Sequence, residues 1–185
     1  MIKLLSTPED LGITVAEAKE FMRVEFNDDD ELISDMIKAA TNMVQSFTSQ
    51  QITSAQYSVA SRYFEQEKAL KSPVVSIDSI EYYDENNTLQ TLDPSYYYLI
   101  DFGLPHKLYY VNDFSEPTLF NRPDAVRINF TCGMTTVPSD IKSWIKIKVS
   151  TLYEYREQFY LSNVQISKLD DEYLRQFLWQ HKVNL

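Results

Sequence analysis

The sequence predicts an α+β fold, mainly helical. Two N-terminal helices and a long C-terminal helix make a helical core, an antiparallel β module is inserted between them, and a tail helix follows. Three observations predict this. Residues 30–48 repeat apolar side chains at three- and four-residue steps. Residues from about 51 to 137 turn β-branched and aromatic, and the helical period returns only after Pro138. Neither helical segment can bury an apolar face alone, so the economical solution packs them together. The expected organisation is one domain over residues 1–160, with its helical core at 11–50 and 138–160 and the β insertion at 51–137. A tail follows at 161–185.

The first helix is expected over VAEAKEFM, with Thr14 as its N-cap and Glu17 completing a capping box. The acidic run Asn27-Asp28-Asp29-Asp30-Glu31 lacks the alternating ligands and turn glycine of a calcium loop. It reads instead as the negative start of the next helix. That helix, from Asp30 to about Thr48, sets Leu32, Ile33, Met36, Ile37, Ala40, Met43, Val44 and Phe47 on one broad apolar face.

Within the β module, strands are expected at Gln56–Phe64, Val74–Tyr83, Leu89–Leu92, Tyr96–Ile100, Lys107–Val111 and Ala125–Thr131. Asp84-Glu85-Asn86-Asn87 suits a hairpin turn between the second and third. The long helix is expected over Pro138–Phe159, with Ile141, Trp144, Ile145, Lys148, Leu152, Tyr155 and Phe159 on one face. The stem of Lys148 can lie along that face. A polar stretch at 162–168 separates this helix from a short amphipathic one carrying Leu169, Tyr173, Leu174, Phe177 and Leu178. With Trp179, this cluster is a sticky element that needs a partner surface.

Composition narrows the function. The 185 residues are 44% hydrophobic and 14% aromatic, which is the make-up of a folded chain. Three glycines leave little scope for a phosphate-cradling loop, and no nucleotide fingerprint is present. A net charge of −10 repels a phosphate backbone and argues against ordinary nucleic-acid binding. One cysteine gives no internal disulfide. No apolar run is long enough for a secretory signal or a bilayer span, so the expectation is a soluble protein with no membrane partner.

Candidate chemistry is sparse. His106 lies in a proline turn and His181 in the tail, and both read as solvated loop histidines rather than ligands. Cys132 has no histidine near it in sequence and reads as a structural thiol. Asp78, Glu81, Asp84 and Glu85 could pair as in a glycosidase, but a solvated strand face explains them as well. Half of the tyrosines in Tyr82-Tyr83, Tyr96-Tyr97-Tyr98 and Tyr109-Tyr110 are expected in the core. The other half suit a protein-contact face. The expectation is no enzyme, no cofactor and no metal.

Several stretches together resemble the head–tail connector (adaptor) proteins of long-tailed bacteriophages, prophages and gene-transfer particles. LGITVAEAKEFMRVEFNDDDELISDMIKAATNMVQSFT is similar to the family's opening, a short helix and acidic cap before a long helix. SPVVSIDSIEYYDENNTLQTLDPSYYYLI resembles its central hairpin, with a D-P-x-x-Y step at Asp93, Pro94 and Tyr97. RPDAVRINFTCG, VPSDIK and LYEYRE resemble its last strand and long helix. The chain departs from the family around Gly133, where Cys132 precedes and Met134 follows.

The resemblance implies a virion protein at the head–tail interface, made in the host bacterial cytoplasm. A ring of twelve copies would sit under the portal protein and meet a stopper or tail-completion protein, and DNA would pass through without sequence-specific binding. It implies that the tail residues Leu169, Tyr173, Leu174, Phe177, Leu178 and Trp179 bind the portal. The polar stripe of Lys142, Lys146, Ser150 and Glu157 becomes a candidate subunit contact or channel lining. Two other readings stay open: a small regulatory subunit of the packaging motor, which requires DNA contact, and a carbohydrate-binding or hydrolytic domain.

Overall fold

The computed structural model describes residues 1–6, 11–155 and 176–183. These fall into two compact units. One takes 1–6 and 53–135; the other takes 11–52, 136–155 and 176–183.

The first unit is built of β-strands, with one 3-10 turn at Pro94–Tyr96. Its strands are β1 (Ile2–Leu4), β2 (Ala55–Ser61), β3 (Glu67–Ala69), β4 (Val74–Tyr83), β5 (Leu89–Thr91), β6 (Tyr97–Ile100), β7 (Lys107–Tyr110) and β8 (Val126–Cys132). They form a five-stranded sheet in the order β1-β2-β8-β4-β5 and a three-stranded sheet in the order β3-β7-β6. Every pairing is antiparallel.

Strand β8 lies centrally in the larger sheet because it can be covered along its whole length. Val126, Ile128, Phe130 and Cys132 alternate with Arg127, Asn129 and Thr131, and only the first set is fully buried. Ile128 pairs with Val59 on β2 and with Ile80 on β4, which joins the apolar faces of three strands. Leu108 and Tyr110 of the smaller sheet and Phe64 and Leu70 complete the same core. Phe64, Tyr110 and Phe114 meet as a ring cluster with centroids 5.1–5.4 Å apart.

The second unit holds α1 (Val15–Met22), α2 (Asp30–Thr48) and α3 (Ser139–Glu154), which pack on one another. Thr14 and Glu17 form the expected capping box, the Glu17 amide donating to Thr14 Oγ1 at 3.1 Å and the Thr14 amide to Glu17 Oε2 at 2.8 Å. Ile33, Ile37, Ala40, Val44 and Thr48 of α2 are buried, as are Ile141, Trp144, Ile145 and Val149 of α3. Gly12 allows the chain to pass close to both helices. A Cβ there would lie 2.7 Å from Ile145 Cδ1 and 2.9 Å from Thr41 Oγ1.

Several expectations need correction. The fold is α+β but not mainly helical: 31% of the described residues are helical and 27% are strand, in two antiparallel sheets. The strands have a core of their own. Two three-residue strands, β1 and β3, had no sequence signal, being too short to show alternation. The apolar face of α2 is also narrower than its pattern suggested. Leu32 and Met43 are exposed, because α1 and α3 cover only one side of the helix. Residues 156–160 of the expected helical core, and 161–175 and 184–185 of the tail, lie outside the described residues.

Candidate functional site

Most of the groups that could have carried chemistry have structural partners. Among the described residues no cluster of His, Cys, Asp and Glu could hold a metal ion. Among the described residues no helix is long and apolar enough to cross a membrane. Cys132 is fully buried, and burial pushes its thiol pKa up to about 12, far from a thiolate nucleophile. Asp78 accepts from Ser76 Oγ and Thr131 Oγ1, and Glu81 from Ser79 Oγ. Asp84 closes the hairpin turn by accepting from the Asn86 and Thr88 amides and from Gln90 Nε2. Its carboxyl is held below the ordinary value first by Gln90 and then by those amides. These carboxylates shape a strand and a turn rather than a reaction centre.

Both histidines depart from the solvated reading. His106 Nδ1 accepts the Val74 amide at 3.0 Å, while the His106 amide donates to Ser72 Oγ at 2.7 Å. His181 Nε2 lies 2.6 Å from Asp140 Oδ2 on the first turn of α3. The two residues stand 41 apart in sequence, so no local pattern announces the pair.

The tail is therefore seated on the helical unit where it is described. Residues 176–179 form a helical turn. Leu178 is buried to 1% exposure, whereas Phe177 and Trp179 are 38% and 60% exposed. Trp179 meets Phe47 of α2 edge-on at 5.9 Å, and Lys182 Nζ lies over both rings. Gln50 Nε2 donates to the His181 carbonyl, and the Val183 amide donates to the Thr48 carbonyl at 2.9 Å. Of the six tail residues singled out, Leu169, Tyr173 and Leu174 lie outside the described residues. Phe177 and Trp179 offer surface, and Leu178 serves as the anchor.

Of the polar stripe, Lys142, Lys146 and Ser150 follow one another at four-residue steps on α3, all half-buried, and Glu157 lies outside the described residues. Lys142 Nζ lies 3.3 Å from Glu17 Oε1 and so ties α3 to the α1 cap. The Thr14 amide, and after it Lys142, hold the Glu17 carboxyl below its ordinary value. The acidic run before α2 is likewise engaged within this unit. Lys19 Nζ reaches Asn27 Oδ1 and Asp30 Oδ1 at 2.7 and 2.6 Å, and Tyr153 Oη donates to Asp29 Oδ2 at 2.5 Å.

The β unit contains one cluster that the sequence did not announce. Arg122 donates through Nε and Nη2 to the two carboxylate oxygens of Asp124, at 2.7 and 2.9 Å, and Arg127 Nη2 reaches Oδ2 at 2.7 Å. The Arg122 guanidinium lies 3.7 Å above the Tyr83 ring centroid, and its Nη1 donates to Asn87 Oδ1. The two guanidinium groups, Arg122 first, hold the Asp124 carboxyl well below the usual carboxylate range. This cluster fastens the β4–β5 hairpin to the loop ahead of β8.

What remains open for function is therefore surface. The chain offers exposed aromatic and aliphatic residues at its β loops and at the tail, on a strongly acidic protein. Comparison with known proteins gives this surface a context. A family model described as head completion protein matches residues 12–164. No curated protein matches the chain in sequence. Solved structures match along its full length. A chain in the virion of a native gene transfer agent particle has a TM-score of 0.78, and one in the neck of the empty particle, computed with C6 symmetry, has 0.77. A chain in the neck of the native particle, computed with C12 symmetry, has 0.75. Each is 14% identical, and each alignment covers 100% of this chain and 97% of the other. At that identity the likeness establishes a shared fold.

Proposed function

The chain belongs to the head completion protein family, a structural and non-enzymatic family of head–tail connectors, and we propose from that premise that it closes the neck of a phage-like particle. Copies form a ring under the portal protein, a stopper or tail-completion protein attaches below, and DNA passes through the opening. The single observation carrying this reading is the full-length fold match to chains in particle necks computed with cyclic symmetry. C12 symmetry in one of them supports twelve copies.

Physical features of the chain agree with the role. A ring needs a heterologous interface, in which two different faces of each subunit meet, and the two units of this chain supply distinct surfaces. A net charge of −10 lets DNA pass without adhering. The half-buried stripe of Lys142, Lys146 and Ser150 is a candidate subunit contact or channel lining. The exposed rings of Phe177 and Trp179, carried on the anchored tail, are candidate portal contacts.

Assembly in particles lacking this chain tests the reading. DNA-filled heads without tails should accumulate, and adding the purified chain should restore joining. Tails joining equally well in its absence would overturn it.

A further inference from the structure

Two surfaces of the chain share an apolar character and differ in charge. The first is the free edge of the five-stranded sheet. Strand β1 ends the order β1-β2-β8-β4-β5, so its outer side has no strand partner among the described residues. The side chains of Ile2, Leu4 and the following Leu5 are all exposed. Residues 1–6 and 53–63, which form β1, β2 and their flanks, contain no aspartate or glutamate. They carry two exposed cations instead. Lys3 is in no ion pair among the described residues, and Arg62 meets only the neutral Asn121 side chain and the Tyr63 ring. Sheet edges that show apolar side chains are prone to association unless a helix or loop covers them.

The second surface is the corner where α1 gives way to α2, over residues 20–32. Phe21, Phe26 and Leu32 are its exposed apolar side chains. Among them Glu20, Glu25, Asp28 and Glu31 are exposed and in no ion pair among the described residues. One exposed cation, Arg23, stands against these four carboxylates. The corner is held in shape from within its own unit. Lys19 Nζ reaches Asn27 and Asp30, and the Val24 amide donates to the Lys19 carbonyl at 3.0 Å. Its rings are thus presented on a fixed turn.

Set together, the two surfaces match apolar side chains with apolar side chains and carboxylates with cations. On a chain with a net charge of −10, encounters between copies are generally repulsive. An edge free of carboxylates is a place where the acidic corner of another copy can land.

We propose that the α1–α2 corner of one copy covers the β1 edge of the next copy. Edge and corner are different surfaces, so the contact is head-to-tail and propagates around a ring. This inference rests on the connector reading and names the surfaces that close its ring.

Cysteine cross-linking in assembled particles tests it. Cys132 is buried and gives no background, and Leu5 and Phe26 are both exposed, so neither replacement opens a core. A chain carrying both Leu5→Cys and Phe26→Cys should oxidise to a ladder of multimers. A mixture of the two single variants should give dimers and nothing larger. A charge reversal, Lys3→Glu, should reduce ring formation about tenfold at low salt, and adding Glu25→Lys and Asp28→Lys should restore it. Rings seen by electron microscopy without cross-links overturn the contact and leave the connector reading standing. Cross-links confined within single chains also overturn the contact. So does a Lys3→Glu chain that forms rings normally and instead loses binding to duplex DNA. Particles with neither rings nor cross-links overturn both.

Discussion

Nε2 of His181 lies 2.6 Å from Oδ2 of Asp140, joining the end of the described tail to the first turn of α3. Gln180 Nε2 reaches the same carboxylate oxygen at 2.5 Å, and the Ile141 amide donates to its other oxygen at 2.9 Å. The segment that carries Trp179 is thus fastened at a defined place on the helical unit.

The Asp140 carboxyl should make tail anchoring sensitive to acid. Burial of Asp140 opposes its charge, but the hydrogen bonds from His181, Gln180 and the Ile141 amide outweigh it and hold the carboxyl below its ordinary value of 3.8. A depressed carboxylate stabilises the fold above its unfolded pKa, and that stability is lost as pH falls through the folded value. Thermal unfolding should therefore show stability falling below about pH 4. Asp140→Asn should lower stability at neutral pH by about 1–2 kcal/mol and flatten that acid limb. An unchanged limb would remove Asp140 as its cause.

Leu178 and Trp179 should separate anchoring from recognition. Leu178 is fully buried, so Leu178→Ala should cost the helical unit about 2–4 kcal/mol in denaturant unfolding. Trp179 is more than half exposed, so Trp179→Ala should cost no more than about 1 kcal/mol. If the tail meets the portal, the same change should weaken portal binding at least about tenfold in a calorimetric titration. Deleting the whole tail is a poorer test, because it also removes a core side chain.

Gly133 should tolerate no side chain. Its φ is +147, and a Cβ would lie 2.8 Å from Ser54 Cα and 2.9 Å from both Ser54 N and Thr53 C. These are backbone atoms of the segment leading into β2, which cannot step aside as a flexible side chain could. Gly133→Ala should lower stability by about 2 kcal/mol or more, measured by urea unfolding. The family resemblance had flagged this position for its unusual neighbours, and the close approach gives the glycine a physical reason.

The Arg122–Asp124–Arg127 cluster should be visible by NMR. The Asp124 carboxyl is held well below the usual range, so it should stay ionised while ordinary surface carboxylates titrate. Arg122→Ala removes the bidentate partner and should bring the titration back toward 3.8. Its contribution to stability is present above that ordinary value and fades as pH falls toward the folded one.

Local signals explain what was legible in the sequence. Thr14 and Glu17 announced α1 through a three-residue spacing, and the recurrence of Ile33, Ile37, Ala40 and Val44 gave α2 its observed bounds. Strands of four residues or more also declared themselves, β8 most clearly through its strict alternation. Pairings at long range did not. Strand β1 gains its identity from β2, where Ile2 pairs with Val59, and nothing within IKL reveals that partner. His181 and Asp140 are hidden for the same reason. The helical weighting of the fold was overestimated because a helix shows its buried face within a few turns, whereas a sheet shows its core only once the strands are paired.

A connector of this kind requires copies of the chain to form a closed ring at the head–tail junction. Electron microscopy of the full chain mixed with portal rings, averaged without imposed symmetry, tests it most directly. A closed twelve-fold ring stacked on the portal, with an open central channel, is the expected result. Single copies scattered on the portal, or an open filament with no closure, would contradict it.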